Sequence, residues 1–95
     1  ADYSKGKVYK LVCNITGLVY VGSTISPLRV RKAGHVSDYK KHKEGRYPYV
    51  TSFKGLENGD YDIVLLEETP CQNKEQLHRA ERRWIEAVNC VNKYV

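Results

Sequence analysis

The sequence has no long apolar run and few cysteines, and both shortages limit the classes of protein to which it can belong. No stretch approaches the roughly 18 apolar residues that a transmembrane helix needs. The three cysteines, Cys13, Cys71 and Cys90, are odd in number and far apart, and none forms a Cys-x-x-Cys pair. This spacing argues against a disulfide framework and against a structural zinc site. We therefore expect free thiols, an intracellular location and no membrane partner.

The chain also lacks internal repeats, low-complexity segments and linkers. Its 95 residues are enough for one small domain with a modest core. No zinc-finger or helix-turn-helix pattern accompanies that domain. We therefore predict a single domain over residues 1–95.

Positive charge is concentrated in one part of the chain. The stretch from Arg29 to Arg46 holds seven lysines and arginines and two acids, a surplus equal to the whole net charge of +5. A local excess of this kind favours binding to a phosphate backbone, although a solvated helix face without a partner has the same composition. The candidate nucleic-acid-binding residues are Arg29, Lys32, Lys40, Lys41, Lys43 and Arg46.

A β-hairpin is predicted near the start of the chain. Residues 7–13 and 18–22 read as short strands, and the turn between them runs from Asn14 to Gly17. Each strand carries one tyrosine, Tyr9 and Tyr20, nearly opposite each other. We expect both hydroxyls to reach one pocket.

Two helices are predicted after the hairpin. The first spans residues 27–43, with Ser26 as its cap, Pro27 at its first position and Gly45 as its stop signal. A short second helix is predicted over residues 48–56.

The last two predicted elements are a strand and a helix. Residues 61–67 are apolar on both faces, which indicates a central strand. Residues 74–88 form a helix capped by Asn73, with Gln76 completing a capping box. The predicted order ββααβα gives an α+β fold, a small antiparallel sheet covered by helices.

Glu81 does not fit the pattern of its helix. It lies between Leu77 and Ile85 in the apolar stripe and has no Lys or Arg three or four residues away. Burying an ionised carboxylate alone costs several kcal/mol, so it needs a partner, a proton or a metal. A single inward glutamate suits Mg²⁺, which takes one or two carboxylates and fills its shell with water and phosphate oxygens. A carboxylate that reaches water or a distant arginine is the alternative.

Arg31 and His35 are the other candidates for chemistry. They lie four residues apart on one helical face, so both can approach one phosphate. Arginine stabilises the charge of a phosphoryl transition state, and histidine transfers protons near neutral pH. A tyrosine acts as a base only if a neighbouring cation lowers its pKa from about 10, and otherwise it positions water.

The pattern resembles the GIY-YIG nuclease family over nearly the whole chain. Five segments are similar to family motifs in order and spacing: Lys7-Val8-Tyr9, Tyr20-Val21-Gly22, Leu28-x-x-Arg31-x-x-x-His35, Glu81-Arg82-Arg83-Trp84-Ile85 and Asn92. Lys7 stands where the family has glycine, and valine replaces isoleucine in both name motifs.

The resemblance implies a three-stranded antiparallel sheet flanked by helices and an endonuclease that hydrolyses DNA. It implies one Mg²⁺ or Mn²⁺ ion per site, held by Glu81. Tyr9 would be the base or water-positioning group, and Tyr20 would help to hold the nucleophile. Arg31 would stabilise the scissile phosphate, and His35 would assist proton transfer or contact the phosphate.

Supporting roles are implied for four further residues. Gly22 would allow the end of the second strand to pack against the helix start. Tyr47 or Tyr49 would fill the place of a further histidine or tyrosine of the family, and Asn92 would brace the site.

The sequence leaves open which DNA the domain would cut and whether it cuts DNA at all. The cleavage would be of homing type or selective for damaged or branched DNA, and its specificity would come from loops, a homodimer, a separate domain or a partner. The alternative function is a non-catalytic nucleic-acid-binding module that retains the fold. The basic helix fits both functions, whereas an unpaired Glu81 beside Arg31, Tyr9 and Tyr20 fits the nuclease.

Overall fold

The computed structural model describes residues 2–46, 61–88 and 90. A short 3-10 turn, Tyr3–Lys5, precedes five main elements: β1 (Lys7–Cys13), β2 (Val19–Thr24), α1 (Leu28–Lys43), β3 (Tyr61–Glu68) and α2 (Lys74–Ala87). The strands form one three-stranded antiparallel sheet, which confirms the predicted α+β fold. The helix predicted over residues 48–56 lies outside the described residues. No helix in the described part of the chain has the length and apolarity to cross a membrane.

The predicted hairpin joins β1 to β2 through a tight turn. Gly17 has a φ of +75°, the left-handed region that glycine enters without a steric penalty. Its N–H donates to the carbonyl of Cys13 at 2.9 Å, and the Cys13 N–H donates to the carbonyl of Leu18 at 2.9 Å. The turn fixes a register in which Val12 faces Val19 and Tyr9 faces Gly22.

The central strand is β1, so the expectation of a central third strand was wrong. The strand order is β2-β1-β3, with β3 at an edge. The hairpin leaves one side of β1 open, and β3 pairs there. Val8 and Tyr9 on β1 are completely buried, whereas Val64 and Leu65 on β3 keep 41% and 43% of their surface exposed. An apolar run indicates a strand, but it does not distinguish an edge position from a central one.

Each face of the sheet carries its own apolar cluster. On one face, α2 packs against β1 and β2 around Val8, Val21 and Ala80. On the other face, Leu11 is surrounded by aromatic and aliphatic side chains from β2, α1 and β3, namely Tyr20, Tyr39, Tyr61 and Ile63. Because strand side chains alternate between faces, the hairpin contributes to both clusters.

The helix boundaries follow the predictions to within one residue. The first helix begins at Leu28 because extended Pro27 occupies the cap position, so the expected cap at Ser26 and the expected first helical position at Pro27 were wrong. Its stop signal is confirmed, since Gly45 has a φ of +78°.

The second helix has the predicted cap. Asn73 Oδ1 accepts the Gln76 N–H at 3.0 Å. The Gln76 side chain accepts the N–H of Gln72 at 2.9 Å, one residue before the expected capping-box donor. The helix ends at Ala87, one residue short of the prediction.

Candidate active site

Tyr9, His35 and Arg31 meet on one face of the sheet. The hydroxyl of Tyr9, on the central strand, lies 2.7 Å from His35 Nε2. It also accepts a hydrogen bond from Arg31 Nε at 3.2 Å. His35 is 3% exposed, and Arg31 is half-buried one turn earlier on α1. The helical spacing thus brings both predicted residues to one phenol.

The direction of the Tyr9–His35 hydrogen bond depends on which ring nitrogen of His35 carries the proton. Burial and the neighbouring Arg31 guanidinium lower the pKa of His35 to about 4, so its ring is neutral near pH 7. Arg31 Nε only donates, and the phenol has one proton of its own. We assign that proton to the bond with His35 Nε2, a choice of tautomer that leaves the imidazole proton on Nδ1.

Both site tyrosines are held in the protonated form. Burial raises the pKa of Tyr9, and the Glu81 carboxylate adds to the effect, although Arg31 opposes it. Burial raises the pKa of Tyr20 to about 12, with contributions from Tyr9 and Glu81. The expected cation is present beside Tyr9, but it does not outweigh desolvation. The condition for a resting phenolate base is not met.

Tyr20 joins the site through His35 and not through direct pairing with Tyr9. The register places Tyr9 opposite Gly22 and Tyr20 opposite Leu11, so the two tyrosines, predicted to be nearly opposite, are diagonal neighbours offset by two residues on one face. Their rings meet that of His35 edge-on, with centroids 5.9 Å and 6.0 Å away. The imidazole therefore packs against both tyrosines.

The Tyr9 phenol packs directly against Gly22. A Cβ at residue 22 would lie 2.5 Å from Tyr9 Oη and 2.6 Å from Tyr9 Cζ. The absence of a side chain lets the phenol lie across β2. The expected packing of Gly22 against the start of α1 stays a prediction.

The Glu81 carboxylate is partly buried on α2, and its oxygen Oε1 accepts a hydrogen bond from Ser23 Oγ at 3.1 Å. Among the described residues, no lysine or arginine forms an ion pair with it. The neighbouring acids of the helix are paired with arginines, Glu75 with Arg79 at 2.6 Å and Glu86 with Arg82 at 3.5 Å. Glu81 is thus the acid of this helix with a neutral partner.

Sequence reasoning missed Ser23, which it placed in a loop. The available signal was its position directly after Gly22, since consecutive strand residues point to opposite faces. A side chain at this position therefore faces α2, and the sequence alone does not show which residue of α2 it meets.

The residues present fit one hard divalent cation. The described residues contain no group of three or more His, Cys, Asp or Glu side chains that would enclose a metal. Glu81 has one oxygen bonded to Ser23, and its other oxygen has no hydrogen-bond partner in the described parts of the chain. One carboxylate suits Mg²⁺ or Mn²⁺ when water and substrate phosphate supply the remaining ligands.

The basic stretch forms a groove on the outer flank of α1. The groove has a volume of about 450 Å³, and Arg29, Lys32 and Lys40 are the charged residues among the described residues that line it. Three other basic residues lie elsewhere, with Lys43 beside the Tyr39 ring, Lys41 exposed and Arg46 paired with Glu44. Tyr47, Tyr49 and Asn92 lie outside the described residues.

Comparison with known proteins identifies the family. The model of the GIY-YIG catalytic domain matches residues 5–95. The chain belongs to the GIY-YIG family. This match confirms the family predicted from the motifs and makes the chain a nuclease catalytic domain.

Two solved structures share the GIY-YIG fold of this chain. The catalytic domain of homing endonuclease I-TevI is 24% identical, with a TM-score of 0.61, over 90% of this chain and 89% of that one. A point mutant of the catalytic domain of intron endonuclease I-TevI is 23% identical, with a TM-score of 0.63, over 90% and 84% of the two chains. The comparison with curated proteins gave no significant match.

Proposed function

We propose that this GIY-YIG domain is a divalent-metal-dependent endonuclease that hydrolyses DNA phosphodiesters. The observation that carries the proposal is the joining of Tyr9, His35 and Arg31 through one phenol. Glu81 is held at the adjacent strand β2 by Ser23. A module that only binds DNA has no need of a buried phenol, imidazole and guanidinium together.

Arg31 is the residue that contacts the scissile phosphate. Its Nε–H is used by Tyr9, so the terminal nitrogens are the groups that bind phosphate oxygens. Its guanidinium is held in place before substrate arrives, which favours the additional negative charge of the transition state over the ground state. The same charge lowers the pKa of His35, and a bound phosphate opposes that effect.

Tyr9 and His35 accept the proton of the attacking water, which substrate binding has to admit because Tyr9 has no exposed surface in the free domain. Because the phenol is protonated at rest, Tyr9 transfers its own proton to His35 Nε2 as it takes one from the water. The phenolate does not have to persist, so the raised pKa of Tyr9 is compatible with this relay. A positioned acid or base of this kind contributes about 10²- to 10⁴-fold to a rate.

Glu81 is the residue that would hold the metal ion. A bound Mg²⁺ or Mn²⁺ would supply positive charge that stabilises the negative charge developing on the phosphate. The chain's own contribution is an unneutralised carboxylate that leaves most of the coordination shell to water and substrate.

The basic groove on α1 is the proposed DNA-backbone contact. Arg29 and Lys40 lie at its two ends, eleven positions apart on the helix, which corresponds to about 16 Å along the helix axis. Because one DNA strand carries a phosphate about every 3.4 Å along the duplex axis, this length spans several phosphates. Lys41, Lys43 and Arg46 extend the positive potential beyond the groove, and a DNA substrate is consistent with an intracellular protein.

A cleavage assay tests the function. Purified protein should nick supercoiled plasmid with Mg²⁺ or Mn²⁺, and both a chelator and Glu81→Ala should abolish the activity. Glu86→Ala is the matched control, because it removes an exposed, arginine-paired acid from the same helix. Salt-dependent DNA binding without cleavage of plasmid, single-stranded or branched DNA with either metal would establish the binding module instead.

A substrate panel tests the type of nuclease. We propose a homing-type activity because both solved relatives are described as homing or intron endonucleases. Cleavage confined to one sequence in a long random duplex is the expected result. A preference for branched or damaged DNA, irrespective of sequence, would assign the domain to structure-selective repair. Sedimentation with and without DNA would distinguish a homodimer from a monomer that depends on another domain or partner.

A further inference from the structure

We propose that Ser23 is a positioning residue that holds the Glu81 carboxylate in its metal-binding orientation; the inference rests on the proposed function. The residues are 58 positions apart, and their hydrogen bond at 3.1 Å joins β2 to α2. Glu81 has several rotatable bonds, whereas Ser23 is fixed by the strand and lies opposite Val8 in the register. The strand therefore orients the helix-borne carboxylate.

A serine is suited to this role because its hydroxyl is neutral. An arginine or lysine partner would hold Glu81 equally firmly, but it would neutralise the charge that attracts a cation. The single hydroxyl proton occupies one lone pair of Oε1 and leaves the carboxylate negative. Carboxylate ligands of metal ions are usually hydrogen-bonded in this way, and their partners tune metal affinity.

The position of Ser23 in the strand connects the two halves of the site. Gly22 lies beneath the Tyr9 phenol on one face of β2, and Ser23 points to the opposite face toward α2. Because β2 is an edge strand, groups on its two faces can approach one substrate around that edge. Gly22 contacts Tyr9 and Ser23 binds Glu81, so these two consecutive residues set the placement of Glu81 relative to Tyr9.

Direct Mn²⁺ binding to the purified domain, followed by the electron paramagnetic resonance signal of the free ion, tests the proposal. Ser23→Thr and Ser23→Val have nearly the same shape and both suit a strand, but only threonine keeps the hydroxyl. We expect Ser23→Thr to bind Mn²⁺ like the wild type and Ser23→Val to bind it about tenfold more weakly. For Ser23→Val, the metal concentration that gives half-maximal cleavage should also rise about tenfold.

A matched control removes a similar hydrogen bond elsewhere. Ser4→Ala also deletes a serine hydroxyl that donates to a carboxylate, that of Asp2, but in the exposed turn before β1. It should leave Mn²⁺ binding unchanged. In a Glu81→Ala background, Ser23→Val should cause no additional loss of Mn²⁺ binding, because the group that it positions is gone.

Several results would overturn the inference. These are equal Mn²⁺ affinity of the threonine and valine variants, an effect of Ser23→Val that persists without Glu81, and wild-type Mn²⁺ binding that does not depend on Glu81. Thermal unfolding of each variant ensures that only folded protein is compared. A wild type that binds Mn²⁺ through Glu81 but cuts no DNA would refute the nuclease function and leave the Ser23 comparison valid.

Discussion

The phenol of Tyr9 occupies the space that a side chain at Gly22 would need. The two residues face each other across β1 and β2, and a Cβ at residue 22 would lie within 2.6 Å of both Tyr9 Oη and Cζ. Tyr9 has no exposed surface, and its hydroxyl is bound to His35 and Arg31. The phenol therefore cannot move aside without breaking the contacts that define the site.

Gly22→Ala is expected to reduce cleavage by about 100-fold, because displacement of a positioned group by about 1 Å has an effect of this size. The variant should also lose roughly 1–3 kcal/mol of unfolding free energy, the usual cost of overpacking a core. Cleavage rates and urea unfolding of the same preparations measure both effects.

Gly34→Ala is the control for that substitution. Gly34 lies inside α1, and among the described residues a Cβ there would meet Arg31 Nη1 alone, at the ordinary contact distance of 3.9 Å. Alanine in a helix interior stabilises by about 0.5–1 kcal/mol relative to glycine, and activity should be retained. Wild-type cleavage by Gly22→Ala would show that the site does not depend on the position of the Tyr9 phenol.

Relationships between site residues within a single helix could be predicted from the sequence. Contacts between residues on different strands and helices could not. Helical periodicity alone placed Arg31 and His35 on one face and left Glu81 without an arginine. The Glu81 bond to Ser23 and the Tyr9 contact with Gly22 join separate elements, so no local pattern contains them. The direction of the Tyr9 pKa shift likewise depends on burial, which outweighs the charge of Arg31.

Local sequence patterns likewise predicted the individual strands and helices of the fold, but not the order of the strands in the sheet. Turn residues and apolar patterns located the strands and helices of the described chain, because Gly17, Gly45 and Asn73 act through local backbone chemistry. The edge position of β3 was not predicted, because its apolar residues look the same whether one or both sides of the strand are paired. Strand order is decided by which side of β1 the hairpin leaves open.

Tyr9→Phe should reduce the cleavage rate by about 10²- to 10⁴-fold while leaving DNA affinity nearly unchanged. The ring still fills its place above Gly22, but the hydroxyl that links Arg31 to His35 is removed. Single-turnover cleavage and fluorescence anisotropy with labelled DNA separate the two effects. Tyr3→Phe, in the turn before β1, is the control and should cleave normally. A substantial loss of DNA binding by Tyr9→Phe would assign the phenol to substrate binding instead of proton transfer.

The low pKa of His35 predicts that acid destabilises the fold. Burial and Arg31 lower this pKa to about 4, compared with 6.5 for an ordinary histidine. Between these values the unfolded chain binds the proton and the folded chain does not, so the contribution of neutral His35 is complete above pH 6.5 and is lost as the pH falls toward 4. Allowing for screening around half-buried Arg31, we expect a loss of about 2 kcal/mol over this range.

Urea unfolding between pH 4 and pH 7 measures this contribution. His35→Gln should remove the His35-dependent part of the pH dependence, whereas His42→Gln and His78→Gln should retain it. A wild-type profile identical to that of His35→Gln would show that the imidazole titrates normally in the folded protein.

The salt dependence of DNA binding tests whether the α1 groove contacts the backbone. Alanine at Arg29, Lys32 and Lys40 removes the three charges that the described residues contribute to the groove. The slope of log affinity against log salt should become shallower by about 0.9 for each phosphate that the variant no longer neutralises, and affinity should fall to a similar extent on every DNA sequence. Fluorescence anisotropy titrations at several salt concentrations measure the slope.

A charge-matched control separates a specific contact from the general effect of net charge. Alanine at Lys5, Lys74 and Arg79 removes the same number of positive charges from exposed positions outside α1. If the groove holds the backbone, this variant keeps the wild-type slope, because bound counterions are released only where phosphates are contacted. Equal slopes for the two triple variants would mean that the DNA follows another path across the domain.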